Sequence, residues 1–162
     1  MKILGIDPGF ARLGWGLIKD DQGRLDLIDF GCQETAAHLP EEERLEIIFR
    51  FLEKLITTHH PHTLAVEELF FAANAKTALA VGQSRGIVLL CAQLKSLSLH
   101  SYTPLQIKQA LTGYGRADKY QIQMMVKSVL NLKTVPRPDD AADALAVAIT
   151  HSFSYKMRLA QK

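Results

Sequence analysis

The chain opens on Ile3-Leu4-Gly5-Ile6 and stops that run at once with Asp7-Pro8-Gly9. A short apolar run bounded by turn residues reads as a buried strand leading into a turn. Leu13, Trp15 and Leu17 then alternate with Gly14, Gly16 and Ile18, the two-residue period of a second strand. Asp20, Asp21 and Gly23 supply a hairpin turn, and residues 24–33 return as a third strand. The opening therefore commits the chain to an antiparallel meander.

The period then changes. Pro40 starts a helix whose first turn carries Glu41, Glu42 and Glu43, acids that the positive end of the helix dipole favours. Leu45, Ile48, Phe49, Leu52 and Leu55-Ile56 form its apolar stripe. His59, His60 and His62 follow around Pro61 with no cysteine or carboxylate beside them in sequence, so they read as polar residues ending a helix rather than as metal ligands. Thr63 to Val66 is a buried strand ending in Glu67-Glu68. Helices are expected over about Asn74 to Lys95, from Pro104, over Asp118 to Leu130, and from Asp139 to about Phe153. Leu99 to Tyr102 is a further strand, and Gly113-Tyr114-Gly115 is a candidate mobile loop. This order predicts an α/β fold: a mixed sheet with an antiparallel three-strand meander followed by strands alternating with helices, helices on both faces. One domain is expected over residues 1–153, with 154–162 a short loose tail.

Composition narrows the class. A chain of 162 residues suits one core, and 48% hydrophobic with 22% charged residues is an ordinary globular balance. A net charge of +2 does not by itself announce a polyanionic partner. The two cysteines, Cys32 and Cys91, have the spacing of neither a zinc pair nor a redox pair, and each is expected as a buried thiol. No secretory signal and no membrane span are read, so a cytoplasmic protein is expected.

Three acidic sites each adjoin an apolar segment. Asp7 ends the first strand, Glu67 and Glu68 end the fourth, and Asp140 and Asp143 open the last helix, three apart and able to share one face. Acids at the ends of parallel neighbouring strands converge. Such a cluster repels itself without a cation, and a hard ion such as Mg²⁺ prefers oxygen ligands of this kind. Singly, each acid has a plain structural reading: a turn residue for Asp7, a capping pair for Asp140 and Asp143. Of Glu67 and Glu68 only one can face the cluster if the strand continues through both, and periodicity does not say which.

These residues resemble those of a known family. Gly5-Ile6-Asp7-Pro8-Gly9, Ala65-Val66-Glu67-Glu68-Leu69-Phe70 and Asp140-Ala141-Ala142-Asp143-Ala144-Leu145-Ala146 are similar, in order and spacing, to the acidic motifs of the RuvC Holliday-junction resolvases. Asn74, Gly82-Gln83, Arg85-Gly86, Gln106, Lys108-Gln109, Gly113, Gly115, Ala117, Lys119, Pro136 and Thr150-His151 fit as well. The likeness runs from Lys2 to about His151; Ser84, where the family often has Ala, and His62, where Asp often follows the proline, depart from it. The resemblance implies a ribonuclease H-like fold, a homodimer, paired nicks at a four-way DNA junction in recombination and repair, and partnership with RuvA and RuvB. It implies Mg²⁺, with Mn²⁺ a plausible substitute, held by Asp7, Glu67, Asp140 and Asp143, and it takes Glu67 rather than Glu68 as ligand. Asp139 is then left to cap the free N–H groups of the last helix.

Lys108, Arg116, Lys119, Lys127, Lys133 and Arg137 gather in the last third of the chain, where phosphate contact would explain them. Lys127 and Lys133 read as solvated helix charge. The resemblance places Lys108 and Lys119 near the scissile phosphate, Lys119 with a catalytic role; Arg116 is a further DNA-binding candidate from its place in this basic group. The resemblance also favours Phe70 as a base-stacking residue, Phe71 being as well explained by packing. Small residues Ala78, Gly82 and Gly86 recur every four positions in the long helix and permit close approach, to the chain's own sheet or to a second copy. Three other readings compete. A hybrid-cleaving ribonuclease H-like enzyme would share the acids, a sugar-kinase- or actin-like ATPase would need a second lobe, and a non-catalytic junction binder would not need intact acids.

Overall fold

The computed structural model describes residues 1–68 and 75–160. Strands β1 (Lys2–Asp7), β2 (Arg12–Asp21) and β3 (Arg24–Glu34) form the expected meander. Helix α1 (Glu41–His59), β4 (Thr63–Glu67), α2 (Ala75–Leu94), β5 (Ser98–Tyr102), α3 (Pro104–Thr112), α4 (Lys119–Val129) and α5 (Asp139–Ala160) follow. The sheet order is β3-β2-β1-β4-β5. β1 pairs antiparallel with β2 and parallel with β4, and β4 parallel with β5. This is the mixed sheet that the order of elements predicts, in the ribonuclease H-like arrangement that the resemblance implies. No helix among the described residues is long and apolar enough to cross a membrane.

Strand parity sorts the core onto two faces. Leu4, Ile6, Leu13, Trp15, Leu17, Leu64 and Val66 pack with α1 and α2, joined by Ile48, Leu52 and Val88. Ile3, Ile18 and Ala65 point the other way, into a cluster with α3, α4 and α5 that includes Ile107, Ile122, Leu145 and Ile149. Leu13, Trp15 and Leu17 thus lie on one face, and Gly14, Gly16 and Ile18 on the other.

The glycines explain how closely α5 sits. A Cβ at Gly5 would lie 2.1 Å from the Ala144 carbonyl oxygen, and one at Gly14 would lie 2.0 Å from that of Asp140. At Gly16 the nearest obstacle is the Leu145 side chain, at 2.5 Å, with the Leu145 Cα further off at 3.1 Å. Both helix backbone contacts are closer than any side chain tolerates, so α5 rests directly on the strand backbones.

Further down, α5 is tied to the β2–β3 hairpin. Buried Asp20 accepts from Ser152 Oγ at 2.5 Å and pairs with Lys156 Nζ at 3.2 Å. Its second oxygen accepts the Gly23 N–H at 3.0 Å and closes the turn. The last helix therefore continues to Ala160, past its expected end near Phe153, because residues 154–160 prolong a helix whose outer turns still reach the sheet. Cys32 is half-buried rather than buried as expected; Cys91 is buried, and both are free thiols. The 113–115 turn is tied down by Tyr114, whose hydroxyl donates to Gln121 Oε1 at 2.8 Å.

Overpacking against backbone costs about 1–3 kcal/mol or more, whereas a side chain can move aside. Gly5→Ala should therefore lower the thermal midpoint more than Gly16→Ala, at about 2–4 °C per kcal/mol for a chain of this length. Equal midpoints for the two variants would contradict the proposed seating of α5.

Candidate nuclease site

Each acid arrives on a fixed element. Asp7 is the last residue of β1 and pairs with Gly14 across the ladder. Gly14 is the residue that the Asp140 backbone overlies, so Asp7 and Asp140 become neighbours through one glycine. Val66 pairs with Ile6 in parallel, which sets Glu67 beside Asp7 at the carboxyl ends of both strands. Parity answers the question left by the doubled glutamate. Ala65 belongs to the α5-side cluster, so Glu67, two residues on, faces α5. Glu68 lies past the strand, its N–H donating to the Tyr102 carbonyl at 2.8 Å. Asp140 and Asp143 both lie within the first turns of α5, so neither is the helix cap that the capping reading required.

Helices α3 and α4 bring the cations. Thr103 and Gln106 cap α3 reciprocally, and Asp118 and Gln121 do the same for α4. Lys119, the first residue of α4, reaches Asp143 at 3.1 Å and Asp139 at 3.4 Å. Lys108, Lys119, Glu67 and Asp143 line one groove of about 210 Å³, floored by Ile107 and Ile122. Arg116 is exposed in the turn between these helices and is not among the residues lining that groove. Phe70, Phe71 and Asn74 lie outside the described residues. Asp139 differs from its expected capping role: its carboxylate pairs with Arg137 and Lys119.

Arg12 is the residue that motif reading missed. It begins β2, pairs with Glu34 at 3.2 Å and leans on Asp140 at 3.5 Å. The signal was available in outline: a residue that starts the return strand stands next to whatever ends the first.

The electrostatics are those of a cluster short of positive charge. Burial, and then the charges of Glu67, Asp143 and Asp140, push the Asp7 carboxyl up to about 8. Burial and Asp143 push Glu67 up to about 7. Asp143 is raised as well, chiefly by burial, with Lys119 pulling against it. Burial works against the Lys119 ammonium, but Asp143 and Asp139 outweigh it and keep its pKa above the ordinary value. All four site acids offer hard oxygen ligands, which suits Mg²⁺ in chemistry. As placed, no three His, Cys, Asp or Glu groups among the described residues are arranged to hold a metal ion; Lys119 and Arg12 stand against Asp143 and Asp140 instead.

A mixed sheet with acids at the ends of its central parallel strands, answered by acids on the helix across it, defines a ribonuclease H-like nuclease. Residues 3–151 match the family described as Crossover junction endodeoxyribonuclease RuvC. A protein of that description from Desulfitobacterium hafniense is 53% identical over 157 residues, covering 97% of this chain and 95% of the relative. The structure of Thermus thermophilus RuvC in complex with Holliday junction substrate is 37% identical, with a TM-score of 0.92 over 97% of this chain and 96% of that one. The yeast mitochondrial Holliday junction resolvase Ydc2, at 13% identity, shares the fold with a TM-score of 0.70, covering 98% of this chain and 82% of its own. The chain belongs to the RuvC family of crossover junction endodeoxyribonucleases.

The raised carboxyls make a prediction for the metal-free protein. Between the ordinary carboxyl range near 4 and about 8, folded Asp7 keeps a proton that the unfolded chain releases. Stability must therefore fall as pH rises through that window, and Glu67 acts in the same direction. In a chelator, the wild-type thermal midpoint should drop by a few degrees between about pH 5 and about pH 8.5. Asp7→Asn, which cannot ionise, should drop less. A wild-type midpoint as flat as that of the variant would refute the assigned burial of charge.

Proposed function

We propose that the chain resolves four-way DNA junctions by Mg²⁺-dependent hydrolysis, Mn²⁺ substituting, and that it acts as a homodimer in the cytoplasm with RuvA and RuvB. The observation that carries the catalytic reading is the desolvated acid cluster at the ends of β1 and β4, faced by Lys108 and Lys119 across one groove. Asp7, Glu67, Asp140 and Asp143 would hold the metal. Its chemistry there is activation of water and stabilisation of the leaving oxygen of a phosphodiester.

The protein's own residues do the rest. The seating of α5 on Gly14 fixes Asp140 against Asp7 before substrate arrives, which is the preorganisation such a site needs. Lys119 pairs with Asp143 and is released toward substrate when that carboxylate is engaged elsewhere; its ammonium then stabilises charge on the scissile phosphate. Lys108, across the groove, contacts phosphate. Arg116 joins the DNA surface outside the groove, and Phe70 stacks on an unpaired base.

The dimer reading rests on α2. Gly82 and Gly86 would carry a Cβ into open space, with nothing within 4 Å. Leu79 and Leu94 on the same helix are 67% and 61% exposed. Gly82 and Gly86 therefore do not seat α2 on its own sheet, which supports contact with a second copy as their use. An isologous pair places two sites symmetrically, as a two-fold junction requires. At micromolar concentration the protein should sediment at about twice 18.0 kDa, and Gly86→Glu should shift it toward the single-chain mass. A monomer that nicks both strands as efficiently would overturn the dimer.

The deciding assay is nicking of a synthetic four-way junction in Mg²⁺, with linear duplex and an RNA–DNA hybrid as controls. Asp7→Asn and Asp140→Asn should lose nicking by about a hundredfold or more while still binding the junction. Asp139→Asn should keep most activity, because its exposed pairs with Arg137 and Lys119 are worth about 0–1 kcal/mol. Preferential cleavage of the hybrid would favour the other ribonuclease H-like reading. An inactive Asp139→Asn beside an active Asp140→Asn would move the third ligand by one residue.

A further inference from the structure

Among the described residues the acids border two grooves, and only the one beside Lys108 and Lys119 enters the mechanism above. The other, of about 740 Å³, shares Asp140 with the site and is lined by Phe10, Arg12, Leu39, Arg44 and Val81 among others. One part of its wall is built with care. The Arg44 guanidinium lies 4.1 Å from the centroid of the Phe10 ring. Thr35, itself buried, donates through Oγ1 to the Phe10 carbonyl at 2.7 Å and accepts Arg44 Nε at 2.9 Å. Its N–H donates to the Ala11 carbonyl at 3.0 Å. A single threonine thus anchors both the turn that follows Asp7 and the plane of the guanidinium. Arg12, held by Glu34, stands where the groove meets Asp140.

A guanidinium already stacked on an aromatic ring and fixed by a hydrogen bond is a planar cation that has lost its freedom in advance. Unpaired bases stack on such planes. We propose that this groove is a nucleotide subsite of the cleaved junction strand: a base flanking the scissile phosphate stacks on the Arg44 plane between Leu39 and Val81, and the adjoining phosphate meets Arg12. The proposal rests on the nuclease reading above. Continuity with the acids through Asp140 and the presence of two guanidinium groups favour nucleic acid over another occupant. Glu41 also lines the groove, an acceptor suited to the exocyclic amino group of cytosine or adenine.

The test uses four-way junctions in which one abasic nucleotide is moved, position by position, across the nucleotides on either side of the nick. Nicking is measured in single turnover with saturating full-length protein. The wild type should lose about 5- to 150-fold at one position, the worth of one stacked base. Arg44→Lys keeps the charge and loses the plane. It should slow nicking of the intact junction by a similar factor and show no further loss at that abasic position. Leu39→Ala, at another residue lining the groove, should show the same lack of additivity, and it serves if Arg44→Lys fails to fold. Fully additive losses in both variants, or a wild type indifferent to every missing base, would overturn the subsite. So would a shift of Leu39→Ala toward the single-chain mass, which would make the groove a contact between copies. Failure of the underlying reading looks different: the intact junction is then not nicked at all.

Discussion

Helix α5 can lie on β1 and β2 at backbone distance because Gly5, Gly14 and Gly16 put no side chain between them. The meeting of Asp7 and Asp140 follows from that contact. Asp7 stands opposite Gly14 in the ladder, and Asp140 stands on top of it, so the spacing of two acids from different parts of the chain is set by the thickness of a glycine. Glu67 is added by strand pairing alone. Asp143 is added by the rise of the helix. None of these positions depends on a loop.

Bringing the acids together in a partly buried place has an electrostatic cost, visible in the raised carboxyls of Asp7 and Glu67. The fold answers it only at the margins. Lys119 stands at Asp143 and Arg12 at Asp140, and both side chains are half-exposed, where attraction is screened. A site held in this state binds protons or a hard cation readily, since either relieves the repulsion. Lys119 borders the groove beside Lys108, whereas Arg12 borders the groove beside Arg44. The acids are thereby flanked by positive charge on two sides.

Much of this was legible in the chain. The meander, the alternation of strands and helices, and the acids at segment ends follow from period and punctuation, and the motif resemblance chose among the folds that share this order. Two matters were not legible, for physical reasons. The first was which of Glu67 and Glu68 faces the cluster: the resemblance named Glu67, but periodicity could not, because parity needs a reference that the packing of Ala65 against α5 supplies. The second was the charge partners. Asp139 looked like a cap in isolation, but Arg137 and Lys119 lie close enough to claim its carboxylate. Arg12 drew no notice because the sequence sets it near the end of β1 but does not show that its side chain reaches a helix that begins more than a hundred residues later. The end of α5 was placed too early for a similar reason: Asp20, far back in the chain, holds Ser152 and Lys156.

That last tie bears on how the molecule opens. Helix α5 touches all five strands and both α3 and α4, and its far turns are fastened to the hairpin through Asp20. Regions with many buried contacts exchange their amide hydrogens only through large-scale opening, while sparsely packed ones open locally. Asp140 and Asp143 therefore belong to the part of the protein that gives way last. Their repulsion is borne by the stability of the whole domain, and a thermal fluctuation cannot relieve it by loosening a loop.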